Sequence, residues 1–105
     1  IMNNVNLIGR STRDIEVKYS SSGKAFCNFN LAVQREQDRE ECDFISCVAF
    51  GKLAEILGKY ITKGKQIALV GSIRTNSYKD KEGNTKYSTD VIVDKIDFIG
   101  NVKKE

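Results

Sequence analysis

Residues 24–34 alternate clearly between two faces. Ala25, Cys27, Phe29, Leu31 and Val33 fall on one side, and a mainly polar set that includes Asn28, Asn30 and Gln34 falls on the other. A period of two places successive side chains on opposite faces of a half-buried strand and is incompatible with a helix. Residues 43–50 repeat the pattern, with Phe44, Ser46, Val48 and Phe50 opposite Ile45, Cys47 and Ala49. The period changes in one place only. From Gly51 onward, Leu53, Ile56, Leu57, Tyr60 and Ile61 recur at helical spacing, which predicts a helix that stops near Lys63 and Gly64, where glycine can take the left-handed C-terminal position.

The remaining segments fill in a strand series. Residues 5–9 begin a first strand that resumes at Ile15, Val17 and Tyr19, with Gly9 suited to a bend or bulge. Ser20, Ser21, Ser22 and Gly23 form a turn, and the acidic residues 35–41 form a loop. A fourth strand runs over 66–75, with Ile67, Leu69 and Ile73 alternating. The polar stretch 79–86 makes a hairpin tip, and a fifth strand covers 87–99. Three strands, one helix and two strands describe an all-β domain. That order matches an OB-fold, a five-stranded Greek-key barrel with one helix between strands 3 and 4. At 105 residues, 1–105 is read as a single domain with one core.

Composition removes several function classes. No apolar run approaches the roughly 18 residues that a membrane helix needs, and the N-terminus carries no secretory pattern, so a soluble, cytoplasmic protein without a membrane partner is expected. Cys27, Cys42 and Cys47 lack CxxC spacing, and the chain has no histidine to complete a common zinc site. They read as free thiols in a reducing compartment, with Cys27 and Cys47 as small core residues. The absence of histidine excludes Ser-His and Cys-His catalysis. A carboxylate-dependent nuclease would need an acidic cluster on an open face, whereas the acids Glu36, Asp38, Glu40 and Glu41 share one loop. No GxxxxGK[ST] phosphate loop occurs. The expectation is a non-enzyme with no catalytic residue, no metal and no cofactor. The net charge is +3, yet residues 35–41 hold two arginines and four acids, a local −2 that leaves +5 on the rest. A mildly basic body fits nucleic acid.

Ordered motifs run along nearly the whole chain: Asn3, Val5, Leu7 and Gly9 at the start, then Asn28-Phe29-Asn30-Leu31-Ala32 and Phe50-Gly51-Lys52-Leu53-Ala54-Glu55. Tyr60-Ile61-Thr62-Lys63-Gly64-Lys65 and Gly71-Ser72-Ile73-Arg74-Thr75 follow. In this combination the chain resembles the bacterial-type single-stranded DNA-binding protein family. The resemblance implies a protein that coats single-stranded DNA without strong sequence preference during replication, recombination and repair, in the cytoplasm with the nucleoid. It also implies a homotetramer. Family members usually carry a flexible, acidic C-terminal tail that recruits replication and repair proteins. This sequence closes at Val102-Lys103-Lys104-Glu105 without such a tail, so those partners are expected only where one continues the chain.

Coating a strand regardless of sequence needs flat side chains for stacking and cations for phosphates. Phe44 and Phe50 share one strand face, which alternation alone would equally allow to be core; the resemblance assigns that face to DNA. Tyr78 lies in a polar stretch where the family has a stacking aromatic. Tyr19 and Tyr87 could extend the track or pack as barrel residues, while Phe29 and Phe98 read as core. Lys52, Lys63, Lys65 and Arg74 are the expected phosphate cations, with Arg10, Lys79 and Lys86 in support. The chain departs from the family in having no tryptophan, in holding Gln34 to Gln37 where an aromatic is common, and in reading Asp14-Ile15-Glu16 at a turn that is commonly Asp-Pro-Glu. The alternative is an OB-fold interaction module of primosome type that binds nucleic acid weakly.

Overall fold

The computed structural model describes residues 1–99, so the closing residues Val102 to Glu105, on which the tail expectation rests, lie outside it. The elements are β1 (Val5–Ser11), β2 (Lys18–Tyr19), β3 (Ala25–Gln34), β4 (Cys42–Phe50), α1 (Gly51–Tyr60), β5 (Gln66–Lys79) and β6 (Thr85–Phe98). The sheet order is β1-β5-β6-β4-β3-β2, and β1 additionally pairs with β3, which closes the sheet on itself. Every pairing is antiparallel except β4 with β6, joined in parallel through Cys47↔Val91 and Val48↔Ile92. Five long strands joined this way, with one helix between the third and fourth of them, make the OB-fold that the strand order implies.

The strand predicted to resume at Ile15 divides in two. Residues 12–17 have no ladder, and only Lys18 and Tyr19 pair again, with Phe26 and Ala25. Ile15 leaves the sheet to bury its side chain in the core. The helix stops at Tyr60, earlier than its apolar stripe suggests: Ile61 is 2% exposed and extended, so burying it ends the helix, and its N–H donates to the Leu57 carbonyl at 2.9 Å. Gly64 takes the expected left-handed conformation (φ 87°), but in the following turn, where Lys65 N–H reaches the Thr62 carbonyl. β5 and β6 each run longer inward to the hairpin than their apolar alternation indicates, because their outer halves pair with each other beyond the barrel. The turn is held by Asp80, whose Oδ1 accepts the N–H groups of Glu82 and Asn84, both at 2.9 Å.

The inner faces of the strands and one side of α1 supply the core, with Leu31, Leu57, Ile61, Ile67, Leu69, Cys27 and Cys47 as its largest fully buried side chains. Gly9 has ordinary negative-φ backbone and is required for space: a Cβ there would overlap the Ala32 carbonyl where β1 crosses β3. Gly71 is similarly crowded by the Ile92 carbonyl, beside the bulge that adds Asp94 to β6. Gly9→Ala therefore destabilises the fold by about 1–3 kcal/mol, the range for overpacking a close contact, read as a lower urea midpoint.

Candidate nucleic-acid interface

The alternation that buries one face of β3 and β4 presents the other to solvent. Phe44, Ser46, Val48 and Phe50 of β4 point outward, and Phe44 and Phe50 are 68% and 43% exposed, which removes the core alternative for both. They stand about 20 Å apart along the strand. The register sets Phe26 of β3 directly opposite Phe50 and Ala32 opposite Phe44. Phe26 is half-buried on this outward face. Sequence reasoning passed over it, although the alternation that placed Ala25 and Cys27 inside already put Phe26 on the other side.

The face continues onto β6 and β5. Ser46 Oγ donates to Asp90 Oδ1 at 2.7 Å, tying the outward sides of β4 and β6 together one position before their parallel ladder begins. Asp90 lies opposite Arg74, and Tyr78 lies four residues further along β5, opposite Lys86 and with the same outward parity as Arg74. Arg74 and Tyr78 are exposed, Tyr78 by 55%. Tyr87 opposes Ser77 and so occupies the other side of the projecting hairpin. The Asn3 side chain pins β5 just before Arg74, exchanging hydrogen bonds with the N–H and carbonyl of Ile73, both at 2.9 Å. Tyr19 is exposed away from this track, its hydroxyl 3.4 Å from Glu55 Oε2. Phe29 is buried and Phe98 half-buried, packing edge-on against Tyr60.

The expected cations do not form one cluster. Lys52 is exposed in the first turn of α1, two residues after Phe50 in the chain. Lys63 and Lys65 lie in the α1–β5 turn, about 25–30 Å along β5 from Arg74. There Arg10 Nη1 donates to the Gly64 carbonyl at 2.9 Å, and the Lys65 ammonium sits 6.0 Å from the Phe98 ring centroid. Lys79 and Lys86 are exposed on the hairpin. At the opposite margin of the face the acidic loop is braced by Arg35 and Asp43, 2.9 Å apart and both exposed. The Arg35 guanidinium holds the Asp43 carboxyl below its ordinary range. Gln34 and Arg39 O add a hydrogen bond across the loop at 3.0 Å.

Behind the face, burial raises the thiols of Cys27 and Cys47. That of Cys47 is pushed up to about 12, with the Asp90 charge adding to the effect. Among the described residues no group of three or more His, Cys, Asp or Glu is arranged to hold a metal, and no helix is long and apolar enough to cross a membrane. The geometry thus sets, on an OB-fold, an outward sheet face that bears the flat, exposed side chains of Phe44, Phe50 and Tyr78 together with Arg74.

The sequence profile described as the single-strand binding protein family matches residues 2–99, and the chain belongs to that family. It is 52% identical over 99 residues to the single-stranded DNA-binding protein of Clostridium perfringens, covering 93% of this chain and 66% of that one. It is 43% identical over 102 residues to single-stranded DNA-binding protein 2 of Clostridium acetobutylicum, covering 93% and 77%. It is 39% identical over 103 residues to the corresponding protein of Oceanobacillus iheyensis, covering 94% and 64%. The chain thus spans slightly under two thirds of the Clostridium perfringens and Oceanobacillus proteins.

Two expected outcomes follow from the thiols. Iodoacetamide labels half-buried Cys42 in the native protein, whereas Cys27 and Cys47 react only on unfolding, as mass spectrometry of partly labelled samples would record. Because the folded Cys47 thiol holds its proton more tightly than the unfolded one, its contribution to stability is full below 9.0 and declines as pH rises from there toward about 12. Urea midpoints across that interval fall, and Cys47→Ser makes the fall shallower.

Proposed function

We propose that this chain binds single-stranded DNA without strong sequence preference, through base stacking and phosphate contacts, and protects it during replication, recombination and repair. The observation that carries the reading is the outward exposure of Phe44, Phe50 and Tyr78 on strands whose other faces form the core. A surface that leaves rings of this size in water needs a flat, apolar partner, and unpaired bases supply one whatever their sequence. Arg74, beside the aromatic track, and Lys52, two residues after Phe50 in the chain, take backbone phosphates. Lys63 and Lys65 serve a strand that continues around the barrel to the far end of β5. The reaction is binding alone, with no covalent step. The names of the relatives support it over the primosome-type alternative.

The same reading includes assembly into a homo-oligomer, a tetramer in the family's pattern. β1 pairs with β3 only at Arg10 and Ser11, so among the described residues its edge over 5–9 carries no ladder on that side, and Ile8 beside it is 55% exposed. An open edge with an apolar side chain is a natural site for a second copy. Residues 1–105 act as one DNA-binding domain placed with DNA in the cytoplasm, and recruitment of replication or repair proteins belongs to a C-terminal tail wherever one continues the chain.

Fluorescence-anisotropy titration with labelled oligo-dT, and with a duplex of the same length, tests the function. Tight, salt-sensitive binding to the single strand alone is expected. Phe44→Ala, Phe50→Ala and Tyr78→Ala each weaken it by about 1–3 kcal/mol. Arg74→Ala or Lys52→Ala lowers the slope of log affinity against log salt by about 0.7 apiece. Equal affinity for duplex and single strand would refute the reading, and sedimentation equilibrium that returns a monomer would refute the tetramer.

A further inference from the structure

A carboxylate in the middle of a phosphate-binding face is electrostatically out of place. Asp90 is half-buried between the strands that carry Phe44 and Arg74, where its charge opposes the ligand that Arg74, across from it, attracts. Arg74 stands opposite it in register, yet among the described residues the two form no ion pair. The only side chain that hydrogen-bonds Asp90 there is Ser46, whose hydroxyl donates to Oδ1. That bond fixes the carboxylate and leaves Oδ2 free. Because the Ser46 proton is spent on Asp90, the pair presents only acceptor oxygens to anything above the sheet. Ser46 is two residues from Phe44 on the same outward face, about 7 Å away along the strand, which is the reach of a base stacked on that ring.

We propose that Ser46 and Asp90 read the edge of the base stacked on Phe44, favouring bases that offer hydrogen-bond donors. Guanine, with its imino and amino N–H groups side by side, fits an acceptor-only pair best. Cytosine and adenine offer one amino group, and thymine a single imino N–H between two carbonyls that meet like charge. Among the described residues no other stacking position carries such a hydrogen-bonded hydroxyl–carboxylate pair, so binding keeps its general tolerance while one position acquires a preference. This inference rests on the coating reading.

The test is a competition series on oligo-dT strands that carry one guanine, inosine, cytosine or adenine at each position in turn. The wild-type chain is expected to prefer guanine to thymine at one position by roughly 5–10-fold, on the scale of a good base contact. Inosine, which lacks the 2-amino group but stacks like guanine, loses most of that gain, as does adenine, a purine of the same size. Asp90→Asn is nearly isosteric and replaces the free acceptor by a donor, so it abolishes or reverses the preference for guanine even as overall affinity rises with the lost negative charge. Ser46→Ala frees the carboxylate and reduces the preference without reversing it. Tight binding that is indifferent to the base at every position overturns the inference alone, as does a guanine preference unchanged in Asp90→Asn. Failure to bind any oligonucleotide overturns both this inference and the coating reading.

Discussion

The short contact between β1 and β3 at Arg10↔Ala32 and Ser11↔Leu31 turns a curled sheet into a closed one, and the position of every candidate binding residue depends on it. It is possible only because Gly9 has no side chain to meet the Ala32 carbonyl. Closure puts inward side chains of all five long strands around one core with α1 packed against it, so the outward faces are fixed relative to one another as well. Thr12 N–H to the Asn30 carbonyl, at 3.2 Å, continues the same seam past the end of the ladder.

A second consequence concerns β4, which is central to the candidate face. Its antiparallel ladder with β3 runs from end to end, while its parallel ladder with β6 has only two residue pairs. The Ser46–Asp90 hydrogen bond reinforces that weak joint on the outer side, and Cys47 and Val91 reinforce it by burial on the inner side. The outer hydrogen bond and the raised Cys47 thiol are thus two faces of one junction, one turned to solvent and the other to the core. The face is electrostatically uneven as a result: aromatics and Arg74 flank one acid, and a braced acidic loop borders the Phe44 end. Net charge describes this poorly, since the basic residues lie along the barrel's length.

Much of this is legible in the sequence. The period of two in β3 and β4 identified the strands and the side that each residue takes, because a strand has only two sides. The break to helical spacing at Gly51 fixed the helix start for a similarly local reason. The exposed standing of Phe44 and Phe50 was not legible from alternation, which distinguishes two faces and does not say which is covered. Phe26, opposite Phe50, was legible in principle, since its parity in β3 already put it on the outward side. The ends of elements were misjudged where burial competed with local preference, as at Ile15, which leaves the sheet, and Ile61, which leaves the helix.

What the sequence by itself determined was the order and type of the elements, the family and the kinds of side chain available for stacking and for phosphates, all of which depend on local periodicity and ordered motifs. What only the tertiary structure decided was proximity. It brought Ser46 to Asp90 across 44 residues and set Arg74 on the same face as the aromatics, yet left Lys63 and Lys65 at the far end of β5. The physical reason is that cross-strand register and sheet closure are set by packing around the shared core, and no local pattern in the chain encodes which distant residues that packing will make neighbours.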